Sequence, residues 1–130
     1  MFSVVWDVST EIDDIDKVVE LFKINTKSWK KGDQSSSLRR HKTSGFRLPI
    51  GDCKDVMELS SCMSIFVENN SEVLKYLKNN SFTSEIDVGV IVDPRQVALV
   101  SLQLPFDIQK QLTNHKIVLV YTVMFSDESQ

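Results

Sequence analysis

EIDVGVIVD, residues 85–93, is the stretch on which the fold turns. Ile86, Val88, Val90 and Val92 alternate with Asp87, Gly89 and Ile91. That is the two-residue period of a strand with one face toward a core and one toward water. Glu85 and Asp87 then belong to the solvated side. This accounts for two neighbouring carboxylates more simply than an acid–base pair or a Mg²⁺ site.

Toward the C-terminus, Pro94-Arg95 turns the chain and Val97–Leu104 reads as a second strand, expected to pair with the first as a hairpin. Phe106–Asn114 follows as a short helix, with Pro105 near its first position and Ile108 and Leu112 inward. Lys116–Phe125 is a last strand, and residues 126–130 form a polar tail.

Toward the N-terminus, Ser71 is placed to cap a helix running through Leu77, closed by Asn79-Asn80. Before it, Val56, Leu59, Met63 and Phe66 form one apolar stripe, with Asp52 as the expected cap and Asp55 at the third position. Ser44–Ile50 has strand character, with Phe46 and Leu48 on one face and Pro49 marking an edge or an end. A polar loop occupies about residues 31–43, and Ile24–Lys30 contains a short strand.

Phe2–Val8, rich in β-branched and aromatic residues, reads as the first strand. Thr10 is the expected N-cap of the first helix, with Asp13 in the capping-box position and Ile12, Ile15, Val19 and Phe22 as its stripe. The resulting order is β-α-β-β-α-α-β-β-α-β. Neighbouring strands with helices between them predict an α+β fold: a single, mostly antiparallel β-sheet with helices packed on one face. Residues 1–130 form one domain with no repeat and no linker.

Charge is unevenly spread. The net charge is -3, yet residues 27–47 carry seven bases (Lys27, Lys30, Lys31, Arg39, Arg40, Lys42 and Arg47) against Asp33 alone. An acidic body with one basic, serine-containing insert reads as a solvated loop. The overall negative charge disfavours nucleic acid as a partner.

Catalytic chemistry finds little footing. The four glycines, at positions 32, 45, 51 and 89, fit no dinucleotide fingerprint, P-loop or nucleophile elbow. His41 and His115 stand in no zinc-ligand spacing with Cys53 and Cys62. His115 is instead expected to complement the negative end of the preceding helix. If the cysteines share one helix, their nine-residue offset turns them through about 900°, onto opposite faces and out of pairing range. No catalytic residue, metal or cofactor is assigned, and the expectation is a non-enzyme. No leader and no apolar run of about 20 residues is evident, so a cytoplasmic protein that does not enter the membrane is expected.

Thr26, Ser28, Trp29, Lys31, Gly32 and Asp33, followed after a variable polar loop by Gly45-Phe46, carry a family resemblance. The segment VVELFKINTKSWKKGD and the later SGFRLP resemble a bacterial family catalogued only as domain of unknown function 4279. The closing IDVGVIVD…VALVSLQLPFDIQKQL block is similar to that family's strand-strand-helix end. Phe46 stands where the family usually has Trp, and the second basic cluster of the loop departs from its pattern. The resemblance implies an α+β fold, a small bacterial protein and a structural role for Ser28, Trp29, Lys31, Gly32, Asp33, Gly45 and Phe46. It brings no catalytic residues.

Small acidic domains of this kind look like immunity proteins. The expected function is therefore to bind and neutralise a cognate toxin domain, of which contact-dependent growth-inhibition nucleases are one kind. The acid-rich first helix (Glu11, Asp13, Asp14, Asp16 and Glu20) and the loop arginines Arg39 and Arg40 are the expected contacts, because complementary charge steers association. The alternative is a small-ligand or nucleic-acid binding module built on the basic loop 27–47.

Overall fold

The computed structural model describes residues 1–11, 15–24, 26, 28–30, 32, 34–36, 39–40, 43–93, 95 and 102–125, with 34–36 and 39–40 described by their backbone only. Its centre is β1 (Phe2–Thr10), which alternates buried and half-exposed residues along its whole length. On one side β1 pairs antiparallel with β5 (Ser44–Cys53), and on the other with β6 (Thr83–Val92). Two short elements precede β5: β2 (Ser28–Trp29), on its outer edge, and a separate ribbon of β3 (Gln34–Ser36) with β4 (Arg39–Arg40). The last strand, β7 (Ile117–Phe125), lies beside β6, giving the order β2-β5-β1-β6-β7. The α+β architecture expected from the sequence is therefore present, as a mixed sheet in which one pair is parallel.

That parallel pair is β6 with β7, in register from Ser84↔Ile117 to Val92↔Phe125. Parallel neighbours need a crossover of a dozen or more residues. The connection that contains α4 (Phe106–Asn114) supplies it. The expected hairpin partner Val97–Leu104 falls mostly outside the described residues, and its described end, Leu102–Leu104, is not strand. A strand has two edges, and those of β6 are taken by β1 and β7. No edge is left for a hairpin.

The helices α1 (Ile15–Leu21), α2 (Val56–Asn69), α3 (Ser71–Asn79) and α4 cover one face of the sheet. Of the predicted stripes, Ile15, Leu59, Met63, Phe66, Ile108 and Leu112 are buried, while Val19, Phe22 and Val56 are half-buried; on α1 it is Val18, beside the stripe, that joins Ile15 in the core. Beneath them lie Val4, Trp6 and Val8 of β1 and Ile86, Val88 and Val90 of β6. Trp6 is the hub. Its ring meets Phe46 edge-on at 5.1 Å and Phe66 at 4.9 Å, the arrangement the ring quadrupole favours. Its Nε1 donates to Ser84 Oγ at 2.8 Å, so the one polar atom of this buried side chain is satisfied.

Helix ends differ from expectation by a few residues. Asp55, not Asp52, caps α2, accepting from the Glu58 amide at 2.9 Å. β5 runs on to Cys53 and carries Asp52 with it. The Glu58 carboxylate reaches back to the Lys54 amide at 2.7 Å, the reciprocal half of a capping arrangement. Thr10 is the buried last residue of β1, so it serves the sheet instead of capping α1. Ser71 is the first residue of α3, with Asn70 at its cap position.

The open face of the sheet as candidate functional site

In an antiparallel pair, residues directly opposite each other share a face. β1 sets Asp7 opposite Arg47 of β5 and opposite Glu85 of β6, all on the face away from the helices. Arg47 Nη1 lies 2.7 Å from Asp7 Oδ2, and its Nη2 lies 3.9 Å from Asp87 Oδ2. Thr122 of β7 donates to Asp87 Oδ1 at 3.1 Å. Two carboxylates thus flank one guanidinium, with Glu85 beside Asp7, across three strands, and Thr122 of a fourth joins through Asp87. Burial raises the Glu85 carboxyl above its ordinary value, helped by Asp7 and Asp87 and opposed by Arg47. Beside the cluster, Ser3, Val5, Arg47, Asp87, Gly89, Thr122 and Met124 line a shallow hollow of about 270 Å³. The exposed Val118 and Met124 of β7 add an apolar rim.

Such a surface is suited to recognition: a fixed array of acceptors with excess negative charge, flanked by apolar side chains. No nucleophile with an orienting base stands in it. Among the described residues, no group of three His, Cys, Asp or Glu side chains is arranged to hold a metal ion. Among them, too, no helix is long and apolar enough to cross a membrane.

The residues singled out in the sequence are distributed as follows. Glu11 and Glu20 are exposed. Asp16 is tied within the fold, accepting from Ser28 Oγ at 2.6 Å and pairing with Lys30 Nζ at 3.0 Å. The Ser28 bond and then Lys30 hold its carboxyl below the usual range. Asp13 and Asp14 lie outside the described residues, as do Lys31 and Asp33 of the family motif. Arg39 and Arg40 form β4 of the ribbon, away from the five-stranded sheet in pairing.

The rest of the motif is structural in its contacts. Thr26 donates to the Arg47 carbonyl at 2.8 Å, and Ser28 and Trp29 pair with Phe46 and Gly45. A Cβ on Gly45 would collide with the Val8 carbonyl oxygen and come within 2.8 Å of the Trp29 ring. Only glycine lets Trp29 lie flat there. Gly32 adopts φ +95°, a conformation other residues resist. Phe46 is wholly buried against Trp6.

A second concavity, of about 390 Å³, opens between β5 and α2, lined by Leu48, Pro49, Ile50, Cys62, Ile65 and Phe66 with Asn69 and Asn70. Its thiol has an unforeseen neighbour. The premise that the cysteines share a helix fails: Cys53 ends β5 and Cys62 sits on α2. The β1–β5 register shifts between Val4 and Val5, which oppose Gly51 and Pro49 respectively. One extra residue there reverses the alternation, so Gly51 and Cys53 point toward the helices as Phe46 and Leu48 do before the shift. The Cys53 thiol is consequently pushed up to about 11, by burial first and then by the adjacent Cys62, with which it hydrogen-bonds. Both thiols are free.

His115 does not supply the positive charge expected at the end of α4. Burial and the nearby Lys78 lower its pKa, disfavouring the charged form. Lys78 of α3 takes the role instead, donating to the Asn114 carbonyl at 2.7 Å.

Sequence reading missed the Asp7–Arg47–Glu85–Asp87–Thr122 cluster as a unit. The signal available was the alternation around Asp7, Glu85 and Asp87; the register that joins them is a tertiary fact. Comparison with known proteins adds no assignment: no family model, no curated protein and no solved structure matches the chain.

Proposed function

We propose that this chain is an immunity-type protein that binds and blocks a cognate toxin domain by protein–protein contact, acting in the bacterial cytoplasm. The observation that carries the reading is the uncovered sheet face, where Asp7 and Asp87 flank a single Arg47, with Glu85 beside Asp7, next to apolar Val118 and Met124. Burial first, and then the neighbouring Asp7 and Asp87, raise the Glu85 pKa, so its charged form carries an electrostatic cost in the free protein. A basic partner surface relieves that cost on binding, which is the complementarity that steers encounter and selects a partner. A toxin that cleaves nucleic acid presents such a basic groove to its own substrate. The resemblance of the Ser28–Trp29 segment to small bacterial orphan domains supports the same reading.

The test is co-expression with the toxin domain encoded beside this chain's gene. A complex and rescue of growth are expected. The double reversal Glu85→Lys with Asp87→Lys, verified as folded by circular dichroism, should lose rescue. A folded wild-type protein that neither binds the toxin nor restores growth overturns the proposal.

A further inference from the structure

The two outer edges of the sheet are built differently. On β5, the edge is covered at Gly45 and Phe46 by β2, and beyond them it carries Pro49 and the register shift. Cover, proline and bulges are the devices by which natural sheets discourage further pairing. β7 has none of them. Ile117-Val-Leu-Val-Tyr-Thr-Val-Met-Phe125 contains no charged residue, no proline and no glycine. One edge is hydrogen-bonded to β6 along its full length, and among the described residues nothing pairs with the other.

Its side chains are exposed as well. Val118, Tyr121, Val123, Met124 and Phe125 are each between 41% and 68% exposed. They lie on both faces. Through the β6 register, Tyr121, Val123 and Phe125 follow Val88, Val90 and Val92 on the helix side, beyond the buried Ile117. Val118 and Met124 lie on the open side. A strand apolar on both faces and, among the described residues, unpaired along one edge matches an extended strand of the same character.

We propose that β7 pairs antiparallel with β7 of a second copy of this chain, about a two-fold axis at Tyr121, joining two five-stranded sheets into one of ten strands. The full nine-residue overlap fixes the register. Tyr121 then faces its own mate, Leu119 faces Val123, Val118 faces Met124 and Ile117 faces Phe125. Val120 faces Thr122; every other pair is apolar or aromatic, each shares a face, and no like charges meet. The α4-covered end of one copy, at Ile117, is brought beside the uncovered Phe125 of the other.

The edge backbone and five half-exposed side chains bring roughly 600 Å² per copy, somewhat below the roughly 800 Å² of a standard stable interface. The dimer is therefore weak and reversible. The pairing does not rest on the toxin reading; it uses Val118 and Met124 from the rim of that surface and leaves the Asp7–Glu85–Asp87 cluster uncovered.

Sedimentation equilibrium of the full chain between 1 and 300 μM tests the proposal. A reversible monomer–dimer equilibrium is expected, with Val123→Lys weakening it at least tenfold while leaving the circular dichroism spectrum and melting midpoint near wild type. For the register, Tyr121→Cys in a Cys53→Ser/Cys62→Ala background should form an intermolecular disulfide under mild oxidation. Directly opposed Cβ atoms lie within disulfide reach. In the same background Thr113→Cys, on α4, should stay monomeric in non-reducing gels. A wild-type chain that stays monomeric at 300 μM overturns the proposal. So does a dimer that Val123→Lys leaves intact, or equal cross-linking of the two cysteine variants.

Discussion

Toward the helices, β1 and β6 present Val4, Trp6, Val8, Ile86 and Val88, all buried, and the single polar atom among the rings there is bonded to Ser84. Toward the other side the same two strands present Asp7, Glu85 and Asp87, of which Asp7 and Asp87 share one arginine. One backbone therefore carries two surfaces with opposite priorities. The covered face satisfies every requirement of a core: apolar area removed from water, offset aromatic rings and no orphan indole N–H. The open face keeps an excess of negative charge that stability does not ask for.

Changes on the covered face should therefore be far more costly than changes on the open one. Trp6→Ala should lose about 3–5 kcal/mol of unfolding free energy in urea titrations, because it leaves a cavity between Phe46 and Phe66 and strands Ser84. Gly45→Ala, at the edge where β2 crosses β5, comes next although it lies off the covered face, at about 1–3 kcal/mol, since its methyl group meets the Val8 carbonyl and the Trp29 ring. A loss as small as that of an exposed substitution would show that β2 moves freely and would weaken the contrast.

The Cys53 thiol gives the covered side a pH signature. Its folded pKa, about 11, lies above the ordinary 9.0 of a thiol. The stabilisation is complete below pH 9 and is lost as pH rises toward 11, amounting to about 2 kcal/mol. Urea midpoints measured from pH 8 to 11 should fall more steeply for wild type than for Cys53→Ala. Native alkylation of Cys53 by iodoacetamide at pH 8 should be slow.

On the open face the sign is the same, in a more acidic window. Glu85 has a raised pKa, so its contribution is favourable below the unfolded value and is lost as pH rises through the folded one. Glu85→Gln should then stabilise the protein at pH 7 by on the order of 0.5 kcal/mol, with the gain vanishing in melts below pH 4. A destabilised Gln variant would mean that the carboxylate serves the fold, and the division between the faces would fail.

Much of the covered face was legible in advance. The stripes Leu59–Met63–Phe66 and Ile108–Leu112 and the alternation Ile86–Val88–Val90 announce buried positions, because period alone tells which residues turn the same way. The limits of α4 were read correctly from Pro105 and the polar residues after Leu112. Trp29 and Phe46 were expected to pack, and Phe46 does so completely. What escaped was every feature that depends on which strand lies beside which. The β5 register shift, the meeting of Cys53 with Cys62, the parallel β6–β7 pair and the joining of Asp7, Arg47 and Asp87 join residues far apart in the chain. Lys78 at the end of α4 is another such case: a neighbouring histidine was the local choice, but a lysine from a different helix reaches the carbonyl.

Composition and periodicity, then, determined by themselves that this chain forms an α+β domain with one apolar sheet face. Alternation and helical spacing are local properties, enforced residue by residue through the hydrophobic effect. Tertiary structure alone decided which charges share the open face, which thiols touch and which edge is left free. Those outcomes depend on strand order and register, where one extra residue in β5 is enough to turn Cys53 from one face to the other.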